Sequence, residues 1–428
     1  MTQTSALDRW LEKLEARAAS HVIALGLERV RAVLDRLPVA TGAVLITVAG
    51  TNGKGSTCVL LEAMLRAGGY RVGCYTSPHL LRYNERVRLD GQPIGDEALL
   101  SAFEAVEAVR GDVPLTYFEH GTLAAWVAFC RQPLDAIILE VGLGGRLDAT
   151  NVFDADAAIL TGVALDHQAW LGPDREAIGR EKAGIFRSGR PAIVADPVPP
   201  RSVLETAAAL GAELYRLGVD FGYDGDRQQW RWWSRTAGNR GGLPYPALRG
   251  VNQLMNASAA LMALTCLRDR LPLAMQAVRE GLMTVELPGR FQVLPGRPSV
   301  ILDVAHNPQA AAVLAENLAA MPGYRRTLAV VGMLADKDVE GVARALVRRI
   351  DVWFAAGLQG SRALTAGALA ARLESAGVVP GETFASVPEA LAAARAQAKD
   401  DDRIVVFGSF LTVAEALRAL HVQDTEAR

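Results

Sequence analysis

"AVLITVAGTNGKGSTCVLLEAMLRAGG", residues 43–69, decides the fold. "AVLITV" (43–48) is a continuous apolar run with β-branched residues, which reads as a strand buried on both faces. The glycines that follow turn the chain, and "STCVLLEAMLRAGG" reads as a helix. A strand, a glycine-rich turn and a helix start together make a phosphate cradle. The helix presents unpaired backbone N–H groups and its positive dipole end to the turn. Gly50, Gly53 and Gly55 let the main chain approach an anion closely. Lys54 supplies a point charge for outer phosphates, and Ser56 or Thr57 an oxygen near Mg²⁺. The usual phosphate loop places its hydroxyl directly after the lysine. Here Gly55 intervenes, and Val48 stands where the first glycine belongs. The competing reading is a bare turn with a solvated lysine, and three glycines around that lysine speak against it.

Working outward, further apolar runs at 70–77, 134–142, 156–163 and 190–196 alternate with helical patterns. That rhythm predicts βαβ crossovers and a mostly parallel sheet. Near the N-terminus, Leu7, Trp10, Leu11 and Leu14 fall at helical spacing and predict an amphipathic helix. Residues 218–248 break the rhythm with polar, aromatic and glycine-rich sequence, read as a small β excursion. Its Trp230, Trp232 and Trp233 are read as packing of that ribbon rather than a ligand surface. "NQLMNASAALMALTCL" then reads as a helix. "ELPGRFQVLPGRPS" (286–299) carries the proline and glycine of a domain boundary. Beyond it, runs at 300–306, 326–334, 351–358 and 403–410 restart the alternation. The expected fold is α/β. Residues 1–288 form a P-loop-type, mostly parallel sheet flanked by helices, with a small β excursion. Residues 289–428 form a smaller Rossmann-like α/β domain.

Among 428 residues, 45 are basic and 47 acidic, a net charge of −2. That balance gives no reason to expect nucleic acid or an anionic membrane surface. No apolar run reaches the roughly 20 residues that span a bilayer. Cys58, Cys74, Cys130 and Cys266 form no CxxC pair, and no signal peptide is evident. The expectation is a cytoplasmic enzyme with reduced thiols, working as a monomer.

Two acidic positions complement the loop. Glu140 follows four apolar residues in "AIILE", where an unpaired carboxylate would be costly, so Mg²⁺ or another cation should balance it. Asp166 and His167 in "ALDHQAWLG" follow the next strand, at the sheet end where open α/β folds place their sites.

Taken in order, "AGTNGKGST", "TSPHLLRYNERVR", "LTYFEHGTLAAW", "LEVGLGGRLDATN", "ALDHQAWLG", "REKAGIFRSG", "ELPGRFQV", "DVAHNP" and "GSFLTV" closely resemble the bifunctional bacterial dihydrofolate synthase/folylpolyglutamate synthase family of the Mur ligase superfamily. The resemblance runs from about Leu25 to Val413. It accounts for the odd loop, because Mur-type loops put a glycine between lysine and hydroxyl. It implies an ATP-dependent amide ligase acting on dihydropteroate, reduced folates and L-glutamate through an acyl phosphate.

The resemblance also implies residue roles. Gly50, Thr51, Asn52, Gly53, Lys54, Gly55 and Ser56 match the ATP cradle. Ser77 and Glu140 match magnesium ligands, and His167 a ligand of a second magnesium. Lys182 matches a lysine carried as a carbamate, although by itself it reads as an ordinary helix lysine. Asn256 matches an adenine contact, whereas Asn252 stands where relatives often have histidine. Arg290 and Asp303 match residues that close on ATP, and His306 and Ser409 lie in motifs on the glutamate side. For the pterin, the matching segments are Ile23, Ala24 and Leu25; Thr116, Tyr117, Phe118 and Glu119; and Leu147, Asp148 and Ala149. Ala24 departs from the aspartate that relatives can carry. Read blandly, "RLDATN" is a polar turn and "TYF" is core. A relative with only the polyglutamate activity is the second reading. A cell-wall Mur ligase is disfavoured, since only 49 residues precede Gly50. So is a nucleotide switch, since no guanine-reading "NKxD" occurs.

Overall fold

A computed structural model describes residues 5–17, 25–226 and 228–426. The chain divides into two units, Met1–Ala247 with Leu254–Val285, and Leu248–Gln253 with Glu286–Arg428.

The first unit is built on an eight-stranded sheet. Its strands are β1 (Val44–Ala49), β2 (Val72–Tyr75), β3 (Val87–Leu89), β4 (Gln92–Pro93), β5 (Ala136–Glu140), β6 (Ala157–Leu160), β7 (Pro191–Val194) and β8 (Glu213–Arg216). They lie in the order β4-β3-β2-β5-β1-β6-β7-β8. All neighbours are parallel except the β3–β4 hairpin and its junction with β2. Every residue of β1 and β5 is buried, as expected of strands covered by helices on both faces. In register, Val48 pairs with Glu140 and Ala49 with Leu160. The loop after β1 therefore emerges between the ends of β5 and β6.

The excursion is a three-stranded antiparallel sheet of β9 (Phe221–Gly225), β10 (Trp230–Ser234) and β11 (Gly238–Leu243). Trp230 and Trp232 are buried, and their indole N–H groups donate to the carbonyls of Pro244 (2.7 Å) and Ser258 (3.2 Å). Buried indoles with satisfied N–H groups are core, as the sequence suggested.

In the second unit, β12 (Gln292–Leu294), β13 (Ser299–Leu302), β14 (Thr327–Val331), β15 (Val352–Ala356), β16 (Glu382–Phe384) and β17 (Arg403–Phe407) form a sheet in the order β12-β13-β17-β14-β15-β16. Only β12 runs antiparallel to its neighbour. Ile301, Leu314, Val331, Trp353 and Phe407 belong to its core. Since β13 and β17 are adjacent, the segments after Leu302 and Phe407 leave the sheet side by side. The short strip 248–253 is tied to this unit by the Val251 N–H, which donates to Asn317 Oδ1 (2.9 Å). Among the described residues no helix is long and apolar enough to cross a membrane.

Candidate active site

The loop after β1 is shaped by backbone that only glycine adopts easily. Gly53, with φ +88°, caps the helix Lys54–Ala67 in the left-handed region. A Cβ there would lie 2.7 Å from Asn256 Oδ1, so Asn256, buried on the helix Gln253–Cys266, abuts the loop. The loop is held from β6 onward. The Thr51 N–H donates to the Gly162 carbonyl (2.8 Å), and the Thr161 hydroxyl to the Asn52 carbonyl (2.7 Å). Of the two candidate hydroxyls, that of Thr57 folds back onto the Gly53 carbonyl (3.0 Å). Ser56, buried one residue earlier, is left as the candidate for a cation.

Two lysine side chains converge here. Lys54 Nζ lies 3.2 Å from the Gly50 carbonyl and 3.3 Å from that of Thr51. Lys182, from the last turn of the helix Arg175–Ala183, reaches the same Gly50 carbonyl at 3.0 Å. Lys182 is only 4% exposed. Burial, and next the charge of Lys54, bring its pKa down to about 7, against the pull of Asp166 and Asp148. The Lys54 ammonium and a lysine whose burial favours the neutral amine thus meet at one backbone oxygen beside the start of a helix.

Glu140 ends β5 at the same sheet edge, buried, and accepts the Ser77 N–H at 2.9 Å. Ser77 and Glu140 are thus brought together, just before a cis Ser77–Pro78 bond. His167 lies at the end of the loop after β6 in left-handed backbone, φ +50°. Its N–H donates to Asp166 Oδ1 (2.9 Å), and its Nε2 stands 3.8 Å from that oxygen. Among the described residues no three His, Cys, Asp or Glu side chains are grouped to hold a metal by themselves. Ser77 and Glu140 offer oxygen atoms, the donor type that magnesium takes, whereas His167 offers nitrogen.

On the expected pterin side, the Gly26 N–H donates to the Leu147 carbonyl (3.3 Å), setting Leu25 beside the 147–149 loop. Ile23 and Ala24 lie outside the described residues. Thr116 and Glu119 form a capping box at the start of the helix Tyr117–Cys130. Arg29 pairs with the same Glu119 at 2.7 Å, a partner that sequence reading missed for want of any local signal. Phe118 lies against Gly142 and 6.0 Å from the Tyr75 ring. Tyr117 meets Tyr83 edge-on, with the Arg86 guanidinium 5.7 Å from its ring. Asp148 is buried and accepts from the Leu143 N–H (2.8 Å), the Thr150 N–H (3.0 Å) and the Thr150 hydroxyl (2.6 Å). Desolvation pushes its pKa up, and these bonds oppose the rise. Both Glu119 and Asp148 therefore hold backbone in place.

The second unit gathers its own cluster. Asp303, after β13, accepts the N–H groups of Phe291 (2.9 Å) and Ala305 (2.8 Å). Burial raises its pKa, while Arg290 and His306 pull it down. Arg290 lies over the Phe410 ring at 4.8 Å, and His306 stands 6.4 Å from that ring. His306 Nδ1 lies 2.8 Å from the Val304 carbonyl, so Nδ1 carries the proton and Nε2 is the basic nitrogen of the neutral ring. Ser409 is buried beneath, its hydroxyl 2.7 Å from that of Thr412 and accepting the Thr412 N–H.

Comparison with known proteins agrees over nearly the whole length. The family described as "Mur ligase, glutamate ligase domain" matches residues 289–410. The chain is 48% identical over 417 residues to a dihydrofolate synthase/folylpolyglutamate synthase of Escherichia coli (strain K12), covering 97% of this chain and 96% of that one. Its structure resembles E. coli FolC in complex with DHPP and ADP, with a TM-score of 0.92, 47% identity and 98% and 99% of the two chains covered. It also resembles a bifunctional folylpolyglutamate synthase/dihydrofolate synthase with Mn, AMPPNP and L-glutamate bound, with a TM-score of 0.89, 48% identity and 98% of each chain covered.

Proposed function

The chain belongs to the dihydrofolate synthase/folylpolyglutamate synthase family of Mur ligases, and from that premise we propose that it is an ATP-dependent amide ligase joining L-glutamate to dihydropteroate and further glutamates to reduced folates. The observation that carries the reading is the convergence of Lys54 and Lys182 on the Gly50 carbonyl, at the sheet edge that also holds Glu140. The relatives bound to ADP, AMPPNP, Mn, DHPP and L-glutamate support it.

A carboxylate resists amines because its oxygen leaves poorly. In the proposed reaction a pteroate carboxylate oxygen attacks the terminal phosphorus of ATP, and the bond to ADP breaks. The glutamate amine then attacks the resulting acyl phosphate, loses a proton, and phosphate departs. Lys54 and the N–H groups opening its helix neutralise phosphate charge, and the fixed loop supplies position without reorganisation. Lys182, with its pKa near neutrality, has a neutral amine to add carbon dioxide, releasing a proton and becoming an anionic carbamate. Ser56, Ser77 and Glu140 would hold one magnesium, and His167 with the Lys182 carbamate a second. Bound there, magnesium supplies charge neutralisation at the transferred phosphoryl group. Leu25, Tyr117, Phe118 and the 147–149 loop would receive the pterin, and Asn256 would contact the nucleotide. In the second unit, Arg290 and Asp303 would serve ATP, and His306 and Ser409 the glutamate.

We place the enzyme in the cytoplasm as a monomer, which sedimentation at the 45.7 kDa of one chain would test. With ATP, Mg²⁺ and L-glutamate, the purified protein should consume dihydropteroate and release ADP and phosphate, one of each per amide formed. Turnover of tetrahydrofolates alone would leave the polyglutamate activity only. No ADP release with either acid would overturn the reading.

A further inference from the structure

Hydrogen bonds lace the phosphate loop to the segment that follows β6. The Thr51 N–H donates to the Gly162 carbonyl (2.8 Å). The Thr51 hydroxyl donates to the Ala164 carbonyl (3.2 Å) and accepts the Ala164 N–H (3.0 Å). The Thr161 hydroxyl donates to the Asn52 carbonyl (2.7 Å). Thr161 is fully buried, and it fills the space that any side chain at Gly50 would need. The same segment is pinned on its other side. The Val163 N–H donates to Asp196 (2.9 Å), and Arg175 donates to the Val163 carbonyl (2.9 Å) and to Asp196 (3.1 Å). Arg175 opens the helix that carries Lys182.

Peptide planarity gives these bonds a consequence. In a trans peptide unit the C=O and the following N–H point in opposite directions. The Thr51 N–H is drawn to Gly162, so the Gly50 carbonyl faces the other way, where Lys54 and Lys182 meet it. By the same rule, an Asn52 carbonyl held by Thr161 turns the Gly53 N–H away from Thr161.

We propose that Thr161 is a positioning residue for the ligase reaction: its hydroxyl sets the orientation of the Asn52–Gly53 peptide and so aims the Gly53 N–H at the nucleotide phosphates. The proposal rests on the nucleotide reading above. Valine at this position keeps the shape and removes the donor, freeing that peptide to rotate. Serine keeps the donor and loses only a methyl.

The test is ADP affinity with Mg²⁺, read by titration calorimetry on the full chain. Thr161→Val should weaken ADP roughly tenfold, the scale of one lost hydrogen bond. It should raise the KM for ATP in proportion, leaving the KM values for glutamate and dihydropteroate within about twofold. Thr161→Ser should bind ADP as the parent does. Should the valine variant not fold, Thr161→Cys replaces it, since a thiol is a weak donor of similar size. Unchanged ADP affinity in the valine or cysteine variant overturns the proposal. So does a serine variant as weak as valine, or a common rise in all three KM values. A parent protein that binds no ADP removes the nucleotide reading itself, and this proposal with it.

Discussion

Replacing Lys182 by methionine should stabilise the nucleotide-free protein in mild acid and lose most of that advantage in base. The Lys182 ammonium is buried, and its pKa falls from the ordinary 10.5 to about 7. From pH 10.5 down to 7 the unfolded chain binds a proton that the folded chain does not, so this residue weakens folding as pH falls through that window. Below pH 7 the folded site takes the proton as well and the penalty stays constant. At 1.36 kcal/mol per pH unit, the penalty is about 5 kcal/mol at pH 6 and about 2 kcal/mol at pH 9. Methionine has similar length and no charge. It loses the bond to the Gly50 carbonyl, worth about 1 kcal/mol at either pH. The variant should therefore exceed the parent by about 4 kcal/mol at pH 6 and about 1 kcal/mol at pH 9, the difference of about 3 kcal/mol being the signature of the buried amine. Urea unfolding in bicarbonate-free buffer, without nucleotide, measures both values. Titrating groups remote from Lys182 cancel in the comparison between the two proteins, and its neighbours Lys54, Asp166 and Asp148 keep their charge between pH 6 and 9. An equal gap at both pH values would show that Lys182 is not held deprotonated, and the reasoning would fail. The variant should also be inactive as a ligase.

Three other perturbations follow from the site. Lys54→Ala removes an ammonium from the phosphate loop and should cut kcat by at least about a thousandfold in a coupled ADP-release assay; turnover at the parent rate would refute the loop's role. Gly53→Ala forces a side chain into left-handed backbone and against Asn256, a strain of about 1–2 kcal/mol, and calorimetry should find ADP bound at least about tenfold more weakly. Asp148→Asn replaces an acceptor oxygen by a donor facing Leu143 or Thr150. It should destabilise the protein by about 1–3 kcal/mol in thermal unfolding and raise the KM for dihydropteroate while sparing that for ATP; an unchanged KM for dihydropteroate would detach that loop from the substrate.

The central strands were legible because burial on both faces leaves an unbroken apolar run, as in β1 and β5. The turn from β1 into the helix Lys54–Ala67 was legible because its glycines and lysine sit at a strand's end. The edge elements β3, β4, β8, β12 and β16 were not. They are two to four residues long and carry arginine, glutamine or glutamate, so they show no run and no alternation. Lys182 sits in "REAIGREKA", whose charges look solvated. Only the reach of its side chain to Gly50, 132 residues away in the chain, reveals the burial. Local pattern was equally silent on the direction a carboxylate faces. Glu119 and Asp148 stand in the expected segments, yet both hold backbone, and the Arg29 that pairs with Glu119 lies 90 residues away. Thr161 gave no signal, since a threonine at a strand's end is unremarkable until its hydroxyl is seen on Asn52.

The strip 248–253 has a practical consequence. The matched glutamate-ligase domain begins at residue 289, but the second unit also owns Leu248–Gln253, which sits upstream on the far side of the helix Gln253–Cys266. A fragment cut at the linear boundary would leave Asn317 without the Val251 amide that it accepts. Anyone grafting this half onto a relative, or exchanging it for another, would need to transplant both pieces of a body that the gene encodes in two instalments.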